Sequence, residues 1–146
     1  NNPSGILPFS YPKYPGDIVL YDHIFTETIR EVFNNNVGTG YDPLFAFGFG
    51  LSYTTFEYSD LKLSDNKMSA NTTIKVSVTV QNTGTKQGKH SVELYTHDQY
   101  ASIAPSVRRL RAFQKIELKA GEKKTVTFDL NAEDLEFVNA QLKRVT

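Results

Sequence analysis

The chain contains no cysteine, no tryptophan, one methionine and no surplus of charge of either sign. Each absence closes off a class of function. Without cysteine there are no disulfides, no thiolate metal sites and no cysteine nucleophile. Compartment stays open, because many exported proteins also lack cysteine. Sixteen basic and sixteen acidic side chains cancel, so the charge balance points to neither nucleic acid nor an anionic membrane as a partner. The longest apolar runs are only a few residues, too short for a helix that spans a bilayer. Asn1-Asn2-Pro3-Ser4-Gly5 has neither the charged leader nor the apolar core of a signal peptide, so none is expected in this stretch.

What is present suits one ordinary domain of 146 residues. At 39% hydrophobic and 22% charged, the chain is less apolar than a typical globular protein but far from the composition of a disordered one. It has eight tyrosines and ten phenylalanines, and most of them crowd the first 60 residues, where regular periodicity is weakest. Such aromatics either form a small core of their own or pack against something else. Pro3, Pro8, Pro12 and Pro15 forbid a continuous helix over residues 1–20 and disfavour a central strand. Ile6, Leu7, Phe9, Tyr11 and Tyr14 lie between them, an extended apolar ribbon in need of a host surface. Residues 17–21 have the composition of a short strand. Asp22 as N-cap, with Phe25, Ile29, Val32 and Phe33 on one face, predicts a short helix over 22–33. Asn34-Asn35-Asn36, Gly38 and Gly40 end it. In residues 41–56, Gly48 and Gly50 alternate with Phe47, Phe49 and Leu51, and each glycine supplies either a positive φ or a close backbone approach.

From residue 54 the pattern is that of a β-protein. Phe56, Tyr58, Leu61 and Leu63 predict a first strand with an irregularity at Ser59-Asp60. Ile74, Val76, Val78 and Val80 alternate with polar residues, as do Val92 and Leu94, then Leu110 to Leu118 by parity, then Val126, Phe128 and Leu130. Ala120-Gly121-Glu122 marks a turn, and Asn131 with Asp134 resembles a capping box over one helical turn. Several short strands without intervening helices indicate an antiparallel β-sandwich. Its expected core is Val76, Val78, Val80, Val92, Leu94, Ile116, Val126 and Phe128, with Lys75, Thr79, Lys115 and Thr127 outside.

Three blocks resemble one family. Asn2-Pro3-Ser4-Gly5-Ile6-Leu7-Pro8, continuing to Tyr14-Pro15, is similar to a segment near the end of the α/β sandwich domain of family 3 glycoside hydrolases, bacterial β-glucosidases above all. Pro43-Leu44-Phe45-Ala46-Phe47-Gly48-Phe49-Gly50-Leu51-Ser52-Tyr53-Thr54-Thr55-Phe56 resembles the signature that enters the family's third domain. Val78 to Gly84, Val92 to Tyr95, Leu110 to Ile116, Leu118 to Glu122 and Val126 to Phe128 resemble its fibronectin type III-like domain. The resemblance implies residues 1–22 as the tail of the α/β sandwich domain, 23–53 as a linker, and 54–146 as a fibronectin type III-like sandwich lacking its last strand.

It also implies what this stretch does not carry. Family 3 enzymes are retaining glycosidases that use two carboxylates. The nucleophile's Ser-Asp-Trp motif is missing, as is the Lys-His-Phe substrate motif, and the acid/base residue is expected upstream. No catalytic, substrate-binding or metal-ligating residue and no cofactor is therefore assigned. The implied role is a structural C-terminal region supporting the catalytic domains. The implied partner is the remainder of the hydrolase, its barrel and α/β sandwich domains, as a separate or cleaved chain. Carbohydrate would be bound by the parent enzyme, in a periplasmic or secreted setting. An independent carbohydrate- or surface-binding module is the alternative, and an interaction subunit completed by a donated strand is a third.

The residues themselves agree. His23, His90 and His97 lack metal-ligand spacing, and Ser52 stands outside a Gly-x-Ser-x-Gly elbow. Glu133-Asp134 has the character of a solvated turn. Arg108, Arg109, Arg111 and Lys115 are expected to charge a solvated strand edge. Phe45, Phe47, Phe49, Tyr41 and Tyr53 are expected to pack rather than stack on sugars. Asn71-Thr72-Thr73 fits a glycosylation sequon, irrelevant in the bacterial setting that the first block favours.

Overall fold

The computed structural model describes residues 2–16, 19, 21, 43–103 and 106–145. The strand expected over 17–21 falls mostly, and the helix expected over 22–33 wholly, outside these residues. His23, Asn34-Asn35-Asn36, Gly38, Gly40 and Tyr41 also lie outside them. The chain divides into two compact units, one of Asn1–Ser4 with Ser52–Thr146 and one of Gly5–Leu51.

The larger unit is an antiparallel β-protein. Its strands are β1 (Phe56–Leu63), β2 (Thr73–Asn82), β3 (Gly88–Thr96), β4 (Arg109–Leu118), β5 (Lys123–Asn131), β6 (Phe137–Val138) and β7 (Arg144–Val145), with a 3₁₀ turn over Ala132–Leu135. One sheet has the order β1-β2-β5, a second pairs β3 with β4, and a small hairpin pairs β6 with β7. Alternation of β-branched and polar residues drives β2: Val76 faces inward opposite Phe128 of β5, while Lys75 and Asp129 pair on the outer face.

The inner faces of the two larger sheets meet. Val80, Val126 and Phe128 from one sheet cluster with Val92, Ile116 and Leu118 from the other. A second cluster joins Ile74, Val76 and Leu130, with Met68, Leu94 and Leu135 packed against it. Three of the residues expected in or outside the core sit differently. Val78 is half-buried, because it lies opposite the β1 irregularity and has no paired residue there. Leu94 is half-buried next to a register shift between Leu94 and Tyr95. Thr79 is half-covered rather than exposed, since β2 is the central strand and Ser59 and Thr125 flank it.

The irregularity in β1 is where the sequence places it. The register shifts between Ser59 and Lys62, and Asp60 adopts φ +54°, a left-handed conformation that aspartate tolerates better than most residues. At the end of β5, the Asp134 carboxylate accepts a hydrogen bond from the Asn131 backbone N–H at 2.8 Å and starts the 3₁₀ turn.

In the smaller unit, residues 7–11 and 44–49 run side by side. Leu7 N–H donates to Phe49 O at 2.8 Å, Gly48 N–H to Leu7 O at 2.9 Å, and Tyr11 N–H to Phe45 O at 2.8 Å. The two glycines do different work here. Gly48 has φ +81°, while a Cβ on Gly50 would stand 2.6 Å from Gly5 O.

Candidate functional site

Four places in the described residues concentrate polar chemistry or exposed apolar surface. The first joins the turns at one end of the sandwich. Asn82 is fully buried and uses its whole amide. Its Oδ1 accepts from Thr54 Oγ1 at 2.6 Å and from Gly84 N–H at 3.1 Å. Its Nδ2 donates to Lys86 O at 2.8 Å and Leu118 O at 3.1 Å. Asn2 adds a staple: Oδ1 accepts from Ser52 Oγ at 3.1 Å and Tyr53 N–H at 2.9 Å, and Nδ2 donates to Gln87 O at 3.3 Å. Ser52 is thus a tethering hydroxyl.

The second lies between β1 and β3. The Tyr58 hydroxyl and His90 Nε2 are 2.6 Å apart, the imidazole tautomer deciding which donates. The Phe56 ring stacks on the same imidazole at 4.5 Å. Burial lowers the His90 pKa and raises that of Tyr58, and Glu93 pushes both upward. A histidine wedged between two aromatic side chains has a packing and hydrogen-bonding role.

The third is a groove of about 720 Å³ lined by the ends of β3 and β4, the 3₁₀ turn and the β6–β7 hairpin. Arg111 donates through Nε to Thr96 Oγ1 at 2.8 Å, and Arg109 through Nη1 to Glu136 O at 3.0 Å. Burial lowers the Arg111 pKa, and neighbouring Arg109 lowers it further, against the pull of Asp134. Of the run expected to charge a solvated strand edge, Arg108, Arg109 and Lys115 are exposed, whereas Arg111 is half-buried, and Arg109 and Arg111 line the groove. His97 lines the same groove. Asp134 of the acidic pair is spent on the cap. The groove itself was not visible in the sequence, because it is assembled from residues 96–98, 103, 106–111 and 133–144.

The ribbon of the smaller unit adds an apolar surface. Phe9, Tyr11, Tyr14, Leu44, Phe45, Phe49 and Leu51 are all exposed. Phe45 packs on Phe49 at 4.7 Å between centroids and on Tyr11 at 6.2 Å, and Tyr21 stacks on Phe47 at 5.1 Å. Tyr53, beyond the ribbon, is 71% exposed and packs little. Among the described residues, no group of three or more histidine, cysteine or acidic side chains is placed to hold a metal ion.

An antiparallel sandwich with two facing sheets is the architecture of a fibronectin type III-like domain, and the family model of that description matches residues 90–146. Over 97% of its length the chain is 41% identical to a periplasmic β-glucosidase of Salmonella typhimurium, and over 99% it is 42% identical to a β-xylosidase of Formosa agariphila. It covers 20% of each. A crystal structure of a β-glucosidase from Listeria innocua in complex with glucose matches 99% of the chain with a TM-score of 0.85 and 36% identity, and the chain covers 21% of it. The chain thus spans about one fifth of the length of the curated relatives it matches. The chain is therefore similar over nearly its whole length to one region of β-glucosidases and β-xylosidases of the family 3 glycoside hydrolase type, the region that carries their fibronectin type III-like domain.

Proposed function

We propose that this chain is the supporting C-terminal region of a retaining, β-glucosidase-like hydrolase and supplies no catalytic carboxylate of its own. The observation that carries the reading is that enzymes of this kind match nearly the whole chain, while it makes up only a fifth of them. In this reading residues 1–22 finish the α/β sandwich domain, 23–53 connect, and 54–146 form the fibronectin type III-like domain. The remainder of the hydrolase, with its barrel and α/β sandwich, is the partner and binds the carbohydrate substrate.

Two features support a dependence on that partner. The ribbon exposes seven large apolar side chains, an unusual concentration for a free surface. Among the described residues β3 pairs only with β4, although Val92 at its centre is 1% exposed. Its second edge, over residues 88–94, is suited to one more strand. The test is an assay on an aryl β-glucoside. The chain alone is expected to give no turnover, and the parent polypeptide containing it to be active. Turnover by the chain alone, abolished by a mutation within it, overturns the reading.

A further inference from the structure

The groove at the end of the β3–β4 sheet is absorbed neither by the fold nor by the supporting role. We propose that it binds a neutral saccharide. Its volume, about 720 Å³, falls within the range of small-molecule sites, roughly 300–1,000 Å³. Its lining decides the class of ligand. Arg109, Arg111 and Arg144 line it together with Asp98, Glu133 and Glu136, three cations and three carboxylates, of which Arg144 and Glu136 pair with each other at 3.9 Å. A simple anion would meet the carboxylates and a simple cation the guanidinium groups. A sugar uses both, because every hydroxyl donates one hydrogen bond and accepts others.

The donors are available. Each guanidinium carries five N–H donors. Among the described residues Arg111 spends its Nε on Thr96, Arg109 spends one Nη1 bond on Glu136 O, and neither forms an ion pair. The apolar part of the lining includes Leu135 and Phe137, both half-buried beside these polar groups. They offer a surface for the C–H face of a pyranose ring. The walls are held in place before a ligand arrives. Arg109 and Arg111 stand on a strand, Glu133 and Leu135 on a capped turn, and the Arg109 bond to Glu136 O ties the two together.

The test is a titration of ¹⁵N-labelled full chain with glucose, cellobiose and glucuronate, followed by amide and arginine Nε–H shifts. Glucose and cellobiose are expected to move resonances of the groove residues at millimolar concentration, with cellobiose binding more tightly and glucuronate no better than glucose. Arg111→Gln and Phe137→Ala should each weaken cellobiose by about tenfold, the loss of one good contact. Lys115→Gln, on the same strand but exposed, should leave the affinity unchanged. Should Arg111→Gln fail to fold, Glu133→Gln takes its place, because Glu133 is exposed. The proposal is overturned by an absence of shifts, by shifts away from the groove, or by binding that the groove variants leave intact. Strong preference for glucuronate would overturn it in favour of an anion site. Shifts on adding a mixed-charge peptide but not sugars would identify a polypeptide segment as the occupant instead.

Discussion

The hydroxyl of Thr54 donates a 2.6 Å hydrogen bond to the side-chain carbonyl of Asn82, a residue with no solvent exposure. This bond fixes the chain just ahead of β1 onto the end of β2, and Asn82 simultaneously holds the turns before β3 and after β4 through Lys86 O and Leu118 O. One buried amide therefore sets the entry to the sandwich and two of its turns.

Replacing Asn82 with alanine leaves two carbonyls, one hydroxyl and one N–H without their buried partner. Each such group costs about 1–3 kcal/mol, so Asn82→Ala should destabilise the sandwich by at least about 3 kcal/mol. Asn82→Asp should also be harmful, because a carboxylate cannot donate to Lys86 O and Leu118 O. Urea denaturation followed by circular dichroism measures both. A loss below about 1 kcal/mol for the alanine variant would mean that Asn82 is not an organising residue.

The glycines packed against this corner should tolerate no side chain. A Cβ on Gly84 would stand 2.2 Å from Thr54 Oγ1, and one on Gly88 would stand 2.6 Å from Thr54 Cγ2 and from Asn2 Nδ2. Gly84→Ala and Gly88→Ala should each lower stability by about 1–3 kcal/mol, the usual cost of overpacking. Gly5→Ala, with nothing within 4 Å of the added carbon, is the comparison and should change little. Equal denaturation midpoints for all three variants would contradict the packing described.

Phe128 tests the core itself. It is 8% exposed and lies in the cluster with Val92, Ile116 and Leu118. Phe128→Ala should cost about 3–5 kcal/mol, whereas Thr127→Ala, on the outer face of the same strand, should cost far less. A denaturation midpoint shift worth under about 1 kcal/mol would place Phe128 outside the core.

How much of this was legible in the sequence varied with the range of the interaction. The strict alternation from Ile74 to Val80 and from Val126 to Leu130 announces strands and their inner faces, because period-two burial is a local property. The β1 irregularity shows as a break in the same alternation at Ser59-Asp60, and the Asn131–Asp134 cap as a four-residue pattern. What was not legible depends on neighbours far along the chain. Val78 loses cover because the β1 bulge falls opposite it, and Thr79 gains cover because β2 is central. Asn2 gives no sign that it binds Tyr53 N–H and Gln87 O, residues 51 and 85 positions away. The groove at Arg109 and Arg111 is likewise built from three separated segments, so the arginine run alone suggested only a charged edge.

Stability should depend on pH at both ends of the range through the Tyr58–His90 contact. Burial holds the His90 pKa below its usual 6.5, so the unfolded chain takes up a proton more readily than the folded one. The contribution is complete above about pH 6.5 and declines as pH falls from there through the folded-state value. Burial raises the Tyr58 pKa above 10.0, so its contribution is complete below about pH 10 and is lost as pH rises through the folded-state value. Thermal melts across pH should show both declines. His90→Phe should remove the acidic one selectively, and an unchanged acid limb in that variant would dissociate it from His90.

The central claim is that this chain is a supporting region whose apolar ribbon requires the rest of a hydrolase. Hydrogen exchange on the isolated chain and on the parent polypeptide tests it most directly. The sandwich strand over residues 74–80 should be strongly protected in both. Residues 5–16 and 43–51, most of whose aromatic side chains stand exposed, should exchange quickly in isolation and become protected in the parent. Protection of those residues in a demonstrated monomer equal to that of residues 74–80 would contradict the account and make the chain a self-sufficient domain.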